Sequence, residues 1–166
     1  LGSSTSSAYV AAELGLPYSF ATHFAPAMAE EALSIYRKHF KASKYLDKPY
    51  FILGVLAHGA DTDEEAEKLY TIAQQGSIRL LREEKGLYPL ADEKFEENLN
   101  LSSAEKIFLK SRMGINLMGS KETMTKIWKE VKAKFDPDEV IAVSYMPKLE
   151  ELEKSYRILK EVVENN

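Results

Sequence analysis

Apolar positions along the chain alternate between short unbroken runs and helical stripes. The longest run, Tyr50-Phe51-Ile52-Leu53-Gly54-Val55-Leu56-Ala57 behind Pro49, has strand length and no polar alternation. That is the pattern of a parallel strand covered on both faces. Shorter runs at Tyr18 to Thr22 and Val140 to Val143 predict two more strands. Between the runs, apolar residues recur three and four apart. Ala29, Ala32, Leu33, Tyr36 and Phe40 make one stripe, with Glu30, Arg37 and Lys38 largely opposite. Ala66, Leu69, Tyr70 and Ala73 make a second, and Met124, Ile127, Trp128, Val131 and Phe135 a third. The fourth is Leu149, Leu152, Tyr156, Leu159 and Val163, widened by Ile158 and Val162. Each stripe predicts an amphipathic helix with one face on a sheet. Strand-helix alternation implies an α/β fold with parallel strands and right-handed crossovers, in a single segment over residues 1–166 without an internal repeat.

Cap and turn residues mark the ends of these elements. Gly2-Ser3-Ser4-Thr5-Ser6-Ser7 leads into a small-residue helix from Ala8 to Leu14, closed by Gly15-Leu16-Pro17. Pro26 suits a first helical turn. Thr62 caps the next helix, with Asp63, Glu64 and Glu65 opposing the dipole, and the pattern extends to Glu84. Ser102 and Glu105 form a capping box for a helix through Ile107, Phe108 and Leu109 that stops at Gly114. Ser120 caps the helix that ends at Asp136-Pro137-Asp138. Lys85 to Leu101 has no clear period and carries Glu93, Lys94, Glu96 and Glu97. It is the interior stretch expected to be least ordered, of a kind that is often functional.

Composition narrows the function classes modestly. With 166 residues, 45% of them hydrophobic, the chain can bury one core. A net charge of -4 gives no electrostatic reason to expect nucleic acid. The absence of cysteine removes disulfides and thiol chemistry and fits a cytoplasmic protein. No run approaches the roughly 20 apolar residues of a membrane span.

Chemistry concentrates at the first helix. Five hydroxyls stand where backbone N–H groups lack helical partners and the positive end of the dipole lies behind them, which makes a phosphate site. The plainer alternative is an ordinary Ser/Thr N-cap. Gly119-Ser120 poses the same choice on a smaller scale, with the N-cap favoured. In a βα fold the functional face lies just past the strands, which selects Ser3 to Ser7, Thr22, His23, Ala57, His58 and Ser144 to Met146. His23 and His58 fall on that face, either lining a cavity or satisfied by backbone or water. His39 sits on an outer helix. No hydrolase triad, metal-ligand spacing or Walker-type loop is present.

Several stretches, taken in order, carry a family resemblance. These are Gly2 to Phe40, with Tyr18-Ser19-Phe20-Ala21-Thr22-His23-Phe24 and Tyr36-Arg37-Lys38-His39-Phe40 inside it, then Ala60 to Ala66, then Met118-Gly119-Ser120-Lys121-Glu122-Thr123. Together they resemble the bacterial-luciferase-like flavin monooxygenases, with Lys121 where relatives often have proline. The resemblance implies the C-terminal half of a (β/α)8 TIM-like barrel with outer helices and a helical insertion, its leading strand and N-terminal half lying outside this sequence. It further implies FMN, reduced by a separate flavin reductase, and oxygen used to oxidise a small organic substrate. Ser4 and Ser7 match the positions that contact the flavin phosphate, with Ser3, Ser6, Thr5 and His23 as weaker cofactor-binding candidates. No catalytic residue is assigned. A deazaflavin-dependent hydride transfer and a non-catalytic assembly module are the alternatives. Half a barrel would leave open strand edges and an apolar inner face, to which Phe20, Ile52, Leu53, Val55, Ile141 and Val143 are assigned, so a homodimer is expected.

Overall fold

The structure, a computed structural model, describes residues 1–112 and 115–165. Strands β1 (Tyr18–Ala21), β2 (Phe51–Gly59), β3 (Asn116–Gly119) and β4 (Glu139–Val143) alternate with helices. The helices are α1 (Thr5–Glu13), α2 (Ala29–His39), α3 (Asp63–Leu81), α4 (Phe95–Asn98), α5 (Ser103–Arg112), α6 (Lys121–Phe135) and α7 (Leu149–Glu164). The strand order is β1-β2-β3, with β4 also pairing β2. β2 runs parallel to β1, Tyr18 opposite Phe51 and Ala21 opposite Gly54, and parallel to β3, Leu56 opposite Asn116 and Gly59 opposite Gly119. The α/β class with parallel strands and outer helices is thus as expected.

The chain divides into two compact units whose boundaries fall inside β2 and α6. The first comprises Leu1–Val55 and Glu130–Val143. There α1 lies against α2, and the phenol of Tyr36 donates to the carbonyls of Leu16 (2.7 Å) and Tyr50 (3.2 Å). Arg37 donates to the carbonyls of Phe135 (2.9 Å) and Asp136 (2.8 Å), which have no helical partners at that helix end. Asp138 accepts the Phe51 N–H at 2.8 Å. Gly2 forms a parallel bridge with Phe20, so the chain also passes along the outer edge of β1.

The second unit comprises Leu56–Lys129 and Ser144–Asn166. Ala60, Ala66, Leu69 and Ile72 form one core cluster, and Ile78, Phe95, Leu101 and Leu109 another. The capping box at Ser102 is present, with Glu105 accepting the Ser102 N–H at 2.8 Å. Arg82 donates to the same carboxyl group at 2.6 Å, and this arrangement holds Glu105 down to about 2.

Five expectations change. α1 begins at Thr5 rather than Ala8, because Ser4 caps it. α3 ends at Leu81, and Glu83 leaves the helix with φ of 56°. Lys85 to Leu101 contains α4, whose Phe95 is buried; a single turn is too short to print a period. The α7 stripe is rotated: Ser155, Leu159 and Val162 are buried whereas Leu149 and Tyr156 are exposed. Finally, Phe20, Leu53 and Val55 are buried within the chain while Ile141 is 46% exposed. Strand neighbours point to opposite faces, so adjacent Ile52 and Leu53 cannot share one inner face. β3 was not foreseen, its four residues being bracketed by a helix end and a helix cap. The expected stop at Gly114 lies outside the described residues.

Candidate functional site

In the first unit, the site at the start of α1 is built around Ser4, whose extended backbone makes it the N-cap. Its Oγ accepts the Ser7 N–H at 3.3 Å, which satisfies one of the helix's unpaired donors. Ser7 Oγ donates to the Ser4 carbonyl at 2.7 Å and lies 3.0 Å from the Tyr18 hydroxyl, which itself donates to the Ser4 carbonyl at 3.1 Å. Burial is the main reason the Tyr18 phenol is pushed above its ordinary range. Ser4, Ser7 and Tyr18 thus form a closed network, and Tyr18 is the member that sequence reasoning missed.

The two expected phosphate contacts are not equivalent. Ser4 donates only a long 3.3 Å bond to Ser7 Oγ, so its proton can be redirected at small loss, whereas Ser7 is committed to holding the turn. None of the described hydrogen bonds uses the hydroxyls of Ser3, Thr5 or Ser6. The first-turn N–H groups of Thr5 and Ser6 have no helical acceptors by construction. Gly2 approaches so closely that an added Cβ would lie 2.1 Å from Ser7 Oγ, and no side chain can fill this cradle. No acidic residue lies in the first turn of α1. A neutral, donor-rich helix start of this kind suits a phosphate. His23 follows β1, half-buried, with its ring 4.4 Å from that of Phe24.

The second helix start behaves differently. The carboxylate of Asp63 accepts the Ser120 N–H at 2.6 Å and the Thr123 hydroxyl at 2.8 Å. These bonds hold the Asp63 carboxyl below its ordinary range. The anion at Gly119-Ser120 is therefore the chain's own, and the N-cap reading prevails there.

In the second unit, residues past β2 and β4 come together. His58 is fully buried, its Nε2 accepts the Tyr145 N–H at 3.4 Å, and Tyr70 lies edge-on at 5.3 Å between ring centroids. Ser144 donates to the Ala57 carbonyl. Asn116 donates to the Tyr70 hydroxyl at 2.8 Å. Because Nε2 is the acceptor, the neutral ring carries its proton on Nδ1, which has no hydrogen-bond partner among the described residues. His39 lies on α2, edge-on to Tyr9.

Desolvation lowers the His58 imidazole to about 4. An unfolded histidine titrates near 6.5, so below that pH the unfolded chain takes up a proton that the folded chain refuses. Stability contributed by His58 is complete above about pH 6.5 and lost as the pH falls through about 4. Between pH 7.5 and 5 the expected loss is about 2 kcal/mol. His58→Gln, which keeps an acceptor for Tyr145, should remove that slope in urea unfolding; an unchanged slope would assign it to other groups.

Comparisons place these features among known proteins. No protein-family model matches the chain. The uncharacterized protein YddN of Bacillus subtilis (strain 168) is 38% identical over 164 residues, covering 99% of this chain and 48% of that protein. A luciferase-like monooxygenase of Escherichia coli (strain K12) is 36% identical over 141 residues, covering 85% and 42%. Among solved structures, apo-MsnO8 superposes with a TM-score of 0.84 at 28% identity, covering 99% of this chain and 50% of that one. The oxygenating constituent of 3,6-diketocamphane monooxygenase from Pseudomonas putida, a type II Baeyer-Villiger monooxygenase solved with FMN, gives 0.55 at 14% identity, covering 94% and 44%. The chain spans about half the length of the curated relatives it matches. Among the described residues no helix is long and apolar enough to cross a membrane. In sequence and in fold, this chain belongs with the luciferase-like monooxygenase family.

Proposed function

We propose that the chain contributes the phosphate anchor of a cytoplasmic luciferase-like monooxygenase that uses reduced FMN and oxygen to oxidise an organic substrate, a separate reductase supplying the reduced flavin. The observation that carries this reading is the start of α1, where a helix N-terminus, open hydroxyls and a glycine cradle converge without a competing carboxylate. The FMN-bound enzyme of the same fold supports the choice of flavin.

The residues present fit a flavin phosphate. Ser4 would redirect its hydroxyl proton from the long bond to Ser7 Oγ toward the phosphate, Thr5 and Ser6 offer backbone N–H groups, and Ser3 and Thr5 add hydroxyls. Ser7 and Tyr18 keep the turn rigid by holding the Ser4 carbonyl. Each charge-assisted hydrogen bond is worth about 1.5–3 kcal/mol, so two or three suffice to fix the cofactor's tail. His23, past β1, is the further candidate to meet the rest of the cofactor. When bound in reduced form, FMN supplies the oxygen chemistry, and this chain's part is to bind and orient it.

Chromophore selectivity tests the reading. The chain should retain FMN through gel filtration and leave a deazaflavin behind. Retention of the deazaflavin instead would favour hydride transfer, and affinity for neither would favour the assembly module.

A further inference from the structure

In the second unit, Tyr88 and Tyr145 meet face to face. Their rings stack with centroids 5.0 Å apart and planes 12° apart. The two phenols are neighbours, and burial together with the Tyr145 phenol pushes Tyr88 up to about 12. Stacked rings with adjacent hydroxyls also bring alongside one another the ortho carbons, which stand next to each hydroxyl.

Both rings are held from behind. The Tyr88 oxygen lies over Gly76 of α3, where an added Cβ would be 2.8 Å from it, so a glycine there leaves room for the phenol. Pro89 is buried, and the carbonyls on either side of the pair Tyr88-Pro89 are fixed to the same helix, Arg79 donating to Leu87 at 2.6 Å and Gln75 to Leu90 at 2.8 Å. Across the stack, the Tyr145 N–H donates to His58 Nε2 at 3.4 Å and Ser144 donates to the Ala57 carbonyl. The fold itself therefore sets the pair.

The pair is also within reach of a solute, since Tyr88 is 55% exposed. The other tyrosine pair among the described ring contacts, Tyr18 with Tyr36, is tilted by 37° and buried, with both hydroxyls bonded to backbone carbonyls. Tyr45 is more exposed, at 62%, but meets Lys44 rather than a second phenol.

We propose that Tyr88 and Tyr145 form an oxidative coupling site, at which a one-electron oxidant joins the two rings as dityrosine. Each phenol loses one electron to the oxidant and its proton to water. The two phenoxyl radicals form a carbon–carbon bond between ortho carbons, and the hydrogens on those carbons move to the two oxygens as the rings regain aromaticity. Two equivalents of oxidant are reduced and the chain loses two hydrogens. Because the partners already lie side by side, coupling is unimolecular and outpaces encounter between chains. The inference does not depend on the flavin assignment.

Photo-oxidation of the whole chain with tris-bipyridyl ruthenium and persulfate tests it, ruthenium(III) being the one-electron oxidant. Dityrosine fluorescence should appear in chains that run as single copies on a denaturing gel, with a yield that does not change on dilution. Trypsin should then release residues 86–94 joined to residues 135–148, lighter than the two peptides together by two hydrogens. Tyr88→Phe and Tyr145→Phe each keep the stack and remove one phenol, so each should cut this yield about 10-fold or more. Tyr45→Phe should leave it unchanged. Fluorescence that survives Tyr88→Phe, or that is confined to cross-linked pairs of chains, would overturn the proposal. So would a parent chain whose tyrosines are oxidised without coupling.

Discussion

Ser4→Asp should abolish FMN binding and leave riboflavin binding and helix α1 intact. Aspartate is as good an N-cap as serine and its charge favours the helix N-terminus, so the cap that accepts the Ser7 N–H survives. The same carboxylate occupies the proposed phosphate position with like charge and donates nothing. Loss of one charge-assisted hydrogen bond alone corresponds to roughly 10-fold to about 150-fold in affinity, and repulsion adds to it. Ser4→Ala is the less informative variant, because losing the cap removes about 1 kcal/mol of stability along with the donor. Ser7→Ala should act mainly on stability, since its hydroxyl is spent on the Ser4 carbonyl and Tyr18. Calorimetric titration with both flavins and a thermal melt check these outcomes. Parallel loss of FMN and riboflavin in Ser4→Asp would mean that the turn has collapsed or that the phosphate lies elsewhere.

Light scattering should report a dimer of the chain, and charges placed on the outer face of α1 should split it. Ser6, Tyr9, Val10, Glu13 and Leu14 fall on one helical face. Tyr9 is 46% exposed, Val10 55% and Leu14 58%, with Leu1 beside the same hollow at 91%. The opposite face carries buried Ala8 and Ala12, so α1 is apolar on both sides, the pattern of a helix covered all round. Its only charge, Glu13, is paired with Lys41 at 2.6 Å, so a second copy meets it without like-charge repulsion. A large apolar side chain contributes about 1.5–3 kcal/mol when fully buried, and three or four half-exposed ones offer several kcal/mol to a two-fold interface. The outer edge of β1, bridged by Gly2 alone among the described residues, adds unpaired strand groups nearby. Val10→Lys with Leu14→Lys should give a folded monomer. A parent chain that is already monomeric at high concentration would contradict the interface.

The elements that could be read from the sequence were those with their own local physics. Caps at Thr62, Ser102 and Ser120 need only a hydroxyl and a following N–H, and all three stand where their spacing put them. The β2 run is apolar because that strand is covered on both faces. By contrast, α4 is a single turn held by the burial of Phe95 among Ile78 of α3, Leu109 of α5 and Leu101 between α4 and α5. The rotation of α7 follows from Ser155, a polar residue turned inward to accept the Gly59 N–H at 3.0 Å, which no hydrophobic stripe announces.

The site was legible to the same extent. Clustered hydroxyls marked α1, but the unequal roles of Ser4 and Ser7 come from Tyr18, eleven residues beyond Ser7 and brought alongside by β1. That Asp63 fills the Ser120 turn is likewise a tertiary fact, spanning 57 residues. Tyr88 lay in a stretch with no period, and its partners Gly76 and Tyr145 come from a helix interior and a loop.

Competition between FMN and inorganic phosphate bears most directly on the claim that α1 carries the cofactor's phosphate. Flavin fluorescence is titrated with the parent chain and with Ser4→Asp, in the presence and absence of phosphate. The parent should bind FMN at least about 10-fold more tightly than riboflavin, phosphate should weaken FMN alone, and Ser4→Asp should erase the difference between the two flavins. Equal affinity of the parent for FMN and riboflavin, indifferent to phosphate, would contradict it.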